Sequence, residues 1–97
     1  MKLVIVPLAL DELQSVAAFY AATANAELGL AFIAEFERAA SRILVSPHVG
    51  AVFGRARRRY VLPRFPYNLI YQVTSDEIRI IAVAHQRRRP TYWAGRK

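Results

Sequence analysis

Few residues in this 97-residue chain could move a proton near neutral pH. It has no cysteine, which excludes a thiol nucleophile, a thiolate metal site and a disulfide framework. Its two histidines, His48 and His85, stand 37 positions apart with no carboxylate pattern around either, so no metal ligand set and no cofactor are expected. No P-loop, Gly-rich dinucleotide turn, serine elbow or His-x-x-x-His pair is present. His85 is the sharpest candidate. It ends an apolar run and precedes Gln86-Arg87-Arg88-Arg89. Histidine is the side chain that titrates near neutrality, and neighbouring guanidinium groups could stabilise a pentacovalent phosphate. With Arg79, Arg87 and Tyr92 it could form a metal-free RNA-cleaving set. The plainer alternative is a strand-end histidine bonded to a backbone carbonyl.

The cations are divided unevenly. Residues 1–54 hold Lys2, Arg38 and Arg42 against five carboxylates, a net −2, while residues 55–97 hold eleven cations against Asp76 and Glu77, a net +9. Ten of those eleven are arginines, the residue best shaped for planar phosphate or carboxylate contacts. The clusters Arg55, Arg57, Arg58, Arg59 and Arg87, Arg88, Arg89 therefore point to a polyanion or to an acidic protein. Nearby Tyr60, Phe65, Tyr67, Tyr92 and Trp93 could stack on bases or serve as packing residues.

These side chains need a scaffold. At this length one domain over 1–97 is expected, and 55% hydrophobic residues against 22% charged supply its core and exclude disorder. The uncharged run Leu3–Leu10 is too short to span a membrane and reads as part of the fold, so a soluble, cytoplasmic protein is expected. Lys2–Val6 reads as a strand ended by Pro7. Asp11 opens a helical pattern with Leu13, Val16, Ala17 and Tyr20 on one stripe. Asn25 is an N-cap candidate for a second helix, with Leu28, Phe32, Phe36, Ala39 and Ile43 on its stripe and Ser46-Pro47 at its end. A loop with Gly50 and Gly54 follows. Arg57–Leu62, Tyr67–Thr74 and Ile78–His85 then read as three strands, before an arginine-rich tail.

The order β-α-α-β-β-β predicts an α+β fold, an antiparallel-rich twisted sheet with an N-terminal helical hairpin on one face. If Leu69, Tyr71, Ile80 and Ala82 face the helices, the other face presents Asn68, Gln72, Arg79 and His85, joined by Arg57 and Arg59. Trp93 is expected to fold back onto the helices or to sit in an interface.

In this order the residues resemble the RelE/ParE superfamily of type II toxin–antitoxin toxins. The matching stretches are Asp11-Glu12-Leu13 with Phe19-Tyr20, Ser46-Pro47-His48-Val49-Gly50, Phe65 to Tyr71, Ile80 to Pro90, and Tyr92-Trp93. The resemblance implies a small toxin held by an acidic antitoxin encoded beside it, a heterotetramer of two such pairs being plausible. An antitoxin helix along the hairpin would meet Tyr20 and Phe32, and Trp93 is a further contact candidate. RelE-like members cleave mRNA on the ribosome, and ParE-like members inhibit DNA gyrase. This chain departs from the RNA-cleaving pattern. Asn68 stands where that branch often has arginine, Arg59 and Val61 replace its lysines, and Gln86 precedes Arg87 where an arginine is expected. Tyr92 aligns with the catalytic tyrosine. With His85 as the one credible proton shuttle, the ParE-like branch is favoured. Arg57, Arg59, Arg64, Asn68, Gln86, Arg88 and Arg89 then become target- or nucleic-acid-binding candidates. Ribosome-dependent cleavage is the alternative, and a non-toxic interaction module a further one.

Overall fold

A computed structural model describes residues 1–54, 56–89 and 92–96 of the chain; Arg55, Pro90, Thr91 and Lys97 lie outside the described residues. The elements are β1 (Lys2–Ile5), α1 (Pro7–Thr23), α2 (Ala26–Val45), β2 (Ala51–Val52), β3 (Arg58–Val61), β4 (Tyr67–Val73) and β5 (Glu77–His85). They form a helical hairpin and a five-stranded sheet of order β1-β5-β4-β3-β2, with β1 parallel to β5 and the other pairs antiparallel. The α+β fold expected from the sequence is the one observed.

Helix α1 starts at Pro7, four residues ahead of the Asp11 start that periodicity suggested. Proline suits the first helical position, where its missing N–H breaks no bond, and it holds Val6 extended (φ −65°, ψ 152°). Helix α2 is capped as expected, with Asn25 Oδ1 accepting from the Leu28 N–H at 2.8 Å. The two helices approach closely at Gly29, where a Cβ would stand 2.7 Å from the Ala17 carbonyl oxygen. The segment expected to be loop contains β2, whose two residues pair with β3 as Ala51↔Arg59 and Val52↔Arg58. Strand β3 is one residue shorter at each end than the alternation suggested.

The sheet's two faces follow from the register, because paired residues share a face. Tyr67, Leu69 and Tyr71 of β4 face the helical layer. The Phe32 ring meets Tyr67 at 5.4 Å, and the Tyr71 hydroxyl donates to the Pro47 carbonyl at 2.8 Å in the segment after α2. That hydroxyl also accepts from the Gly50 N–H at 2.9 Å, and a Cβ at Gly50 would strike it. Pairing puts Ile78, Ile80, Val83 and His85 on this same face, and Arg79, Ala82 and Ala84 on the other with Asn68, Ile70 and Gln72. A β-bulge is responsible: Ile70 pairs with Ala82 but Tyr71 with Ile80, so Ile81 is an extra residue that inverts the alternation. The predicted facing of Ala82 and His85 is therefore reversed.

The core lies between helices and sheet, with Phe32, Ile43, Leu69, Tyr71, Ile78, Ile80 and Ile81 at 0% exposure. A second, smaller packing layer covers the other face. There Trp93 lies against Phe53, ring centroids 5.6 Å apart, in a cleft shared with Ile70 and Ala84. Trp93 thus packs on the face opposite the helices rather than on them. No helix among the described residues is long and apolar enough to cross a membrane.

Candidate functional site

Part of the expected cationic surface, on β3 and just before it, is turned into the fold. Arg57 and Arg59 lie on the sheet face away from the helices, as anticipated. Arg57, however, donates to the carbonyls of Trp93 (3.3 Å) and Arg96 and lies 5.6 Å from the Trp93 ring. Arg59 sits 4.8 Å over the Phe53 ring. Arg58 points to the helical side and donates to the His48 and Gly50 carbonyls at 3.2 and 2.8 Å. Between these rows the Asn68 Oδ1 is buried with no hydrogen-bond partner among the described residues, in a small cleft with Arg59, Gln86, Arg88 and Trp93. Gln86, Arg87, Arg88 and Arg89 are exposed on the turn after β5, with Arg88 stacked 4.0 Å over Tyr92.

Of the four residues that a nuclease would need, His85, Arg87 and Tyr92 lie at the end of β5 and Arg79 does not. His85 meets the Tyr67 ring edge-on at 5.0 Å, and its Nδ1 accepts from the Arg87 N–H at 3.1 Å. Arg79 is six residues earlier on β5, about 20 Å away at the usual strand rise, and is paired with Glu77 at 3.0 Å. Tyr92 does share a cleft of about 310 Å³ with His85, Arg88 and Glu12, between α1 and the end of β5. Burial, reinforced by the Glu12 carboxylate, pushes the Tyr92 phenol up to about 12. Such a phenol is a poor proton shuttle at neutral pH. Burial likewise raises Tyr67 and Tyr71.

One network in this cleft has no local sequence signal. Glu12 binds Arg96 bidentately at 2.8 and 3.1 Å, and its Oε1 accepts from the Val83 N–H at 3.0 Å. Arg96 also donates to the Ile81 carbonyl at 3.0 Å. Strand β1 stops at Ile5, so beyond it the β5 edge groups displaced by the bulge need other partners; this pair supplies them. The partners are 84 positions apart, which hides them from pattern reading.

Arg64 stands in the β3–β4 connection. Its N–H donates to the buried Glu35 Oε2 at 2.9 Å, and its guanidinium lies 3.6 Å from Oε1. Of the residues expected to meet a partner, Tyr20 is half-buried between Phe32 (5.8 Å) and Phe65 (5.2 Å). Phe32 and Trp93, at 0% and 5% exposure, are part of the chain's own packing, because each fills a ring cluster that the sheet needs covered. Among the described residues no group of three or more His, Cys, Asp or Glu side chains is placed to hold a metal ion.

Comparison with known proteins adds three findings. Residues 3–90 match the family described as the ParE toxin of the type II toxin-antitoxin system, parDE. Among solved structures, one titled "Chromosomal ParDE TA system from P. aeruginosa" has a chain of similar fold, with a TM-score of 0.78 at 19% identity. The match covers 88% of this chain and 95% of that one. No curated protein matches the sequence significantly.

Proposed function

The chain belongs to the ParE toxin family of type II toxin–antitoxin systems, and from that premise we propose that it arrests growth by binding DNA gyrase, without cleaving RNA, until an acidic antitoxin neutralises it. The observation that carries this reading is that the cleft holding His85 pairs it with a phenol raised to about 12 and leaves Arg79 outside. RNA cleavage by the 2′-hydroxyl needs a base, an acid and cations around one phosphate. Here Arg79 lies far down β5 from His85, and Tyr92 is held protonated well above neutral pH. Binding asks less. The exposed Gln86, Arg87, Arg88 and Arg89 beside the Trp93 layer offer a basic surface for a protein target.

Purified gyrase in a DNA supercoiling assay is the direct test. The expected result is inhibition at micromolar toxin, relieved by the antitoxin encoded in the neighbouring reading frame. Unaltered supercoiling, together with new mRNA 5′ ends that vanish in His85→Ala plus Tyr92→Phe, would establish the nuclease instead.

A further inference from the structure

Arg57, Arg58, Arg59 and Arg96 are turned onto carbonyls, rings or Glu12, and besides the exposed Arg87–Arg89 turn a second group of outward-facing guanidinium groups lies elsewhere. On the α2 side, a notch of about 260 Å³ is lined by Glu35, Arg38, Ala39, Arg42, Tyr60 and Pro63. Arg64 borders it through Glu35. The side chains of Arg38 and Arg64 are 62% and 63% exposed, whereas Glu35 is 3% exposed. Glu35 Oε1 lies 3.7 Å from Arg38 and 3.6 Å from Arg64, longer than a hydrogen bond. One buried carboxylate therefore draws two guanidinium groups together from different elements without consuming their donors. Arg42 follows Arg38 by one helical turn. Tyr60 and Pro63 supply a partly apolar wall.

We propose that this notch between α2 and the β3–β4 connection is a docking site for carboxylate side chains of an acidic protein segment. Two arguments select a protein over a nucleic acid. The notch is a local cleft, not a groove along which a phosphate backbone could run, and its nearest side chain with a ring face for stacking, Tyr60, is half-buried. The chain's net charge of +7 complements an acidic partner, and arginine forks match carboxylates in pairs. The site deepens the antitoxin reading given above and rests on it for the partner's identity, although its chemistry can be tested alone.

Hexaglutamate is the direct probe, titrated at low salt into isotope-labelled toxin while arginine side-chain NMR signals are followed. The expected result is perturbation of the Arg38, Arg42 and Arg64 signals. Arg38→Gln with Arg42→Gln should weaken binding roughly tenfold, the order expected for two partly exposed charge pairs. Lys2→Gln, a loss of charge on the opposite sheet edge, should leave it unchanged. Equal weakening by Lys2→Gln, or perturbation confined to Arg87–Arg89, would overturn the site. So would tighter binding of an oligoribonucleotide of equal charge at the same arginines. In a second arm the neighbouring-frame antitoxin replaces the peptide. If it does not bind wild-type toxin, the antitoxin reading fails while the peptide arm still decides the notch; if it binds wild type and double variant equally, the notch proposal fails.

Discussion

Glu12 shows how much one side chain can hold. It satisfies Arg96 twice and the Val83 N–H once, in a half-buried setting. Glu12→Ala removes the carboxylate partner of Arg96, which keeps its bond to the Ile81 carbonyl, and leaves the Val83 N–H unpaired; it is expected to cost about 2 kcal/mol in urea unfolding, and Glu12→Gln, which keeps an acceptor, should cost less. Tyr92 makes a complementary prediction about pH. Its phenol is raised from 10.0 to about 12, chiefly by burial, so the folded state holds this proton more tightly than the unfolded chain does. That contribution is complete below pH 10 and is lost as the pH climbs towards 12. The urea midpoint should therefore fall across this window. Tyr92→Phe should make the decline shallower without abolishing it, because Tyr67 and Tyr71 are raised as well.

Between helices, the contact at Gly29 sets how near α1 and α2 can lie. Glycine inside a helix normally costs about 1 kcal/mol relative to alanine, so Gly29→Ala would be stabilising on an isolated helix. Here the new methyl would meet the Ala17 carbonyl oxygen at 2.7 Å and the Ala21 Cβ at 3.1 Å. Backbone cannot yield as a side chain does, and overpacking costs about 1–3 kcal/mol. A net destabilisation of about 1 kcal/mol is expected, measurable as a lower thermal midpoint. Gly95→Ala, where the added carbon meets nothing within 4 Å, should be close to neutral. Between strands, the bulge at Ile81 decides which side chains line the cleft beside α1. It moves His85 from the sheet's other face to the side of Tyr67 and α1, and turns the Val83 N–H towards Glu12. Alternation made β3 and β4 legible, and β-rich apolar runs made β1 and β5 legible, but a single inserted residue has no signature in an apolar run such as Ile78–Ala84. The two-residue β2 was illegible for a different reason: its pairing exists only because β3 runs beside it.

Across the whole molecule, both sheet faces need cover. The helices protect one; Trp93 and Phe53, with the arginines laid over them, protect the other. Trp93→Ala removes most of that second layer and is expected to cost about 3 kcal/mol, a large share of the 5–15 kcal/mol of a typical domain. Its denaturation midpoint should fall with the cooperativity slope unchanged. This arrangement also redistributes charge. Net charge of +7 describes the field that a distant partner meets, but contact depends on which guanidinium groups remain outward. Arg38 and Arg42 belong to the half of the chain with net negative charge and lie off the apolar stripe of Leu28, Phe32, Phe36, Ala39 and Ile43. Folding sets them beside Arg64 and Tyr60, with Glu35 beneath.

Composition and periodicity alone determined the helical hairpin, the order of the main strands, the Asn25 cap and the basic second half, because these depend on neighbours within a few positions of one another. The match to a toxin family rests on the same linear order. Which face His85 takes, what Trp93 covers, which arginines are consumed and which stay available were decided by the tertiary structure. Each depends on partners tens of residues apart, brought together by a bulge, a strand end and a close helix crossing that no local pattern encodes.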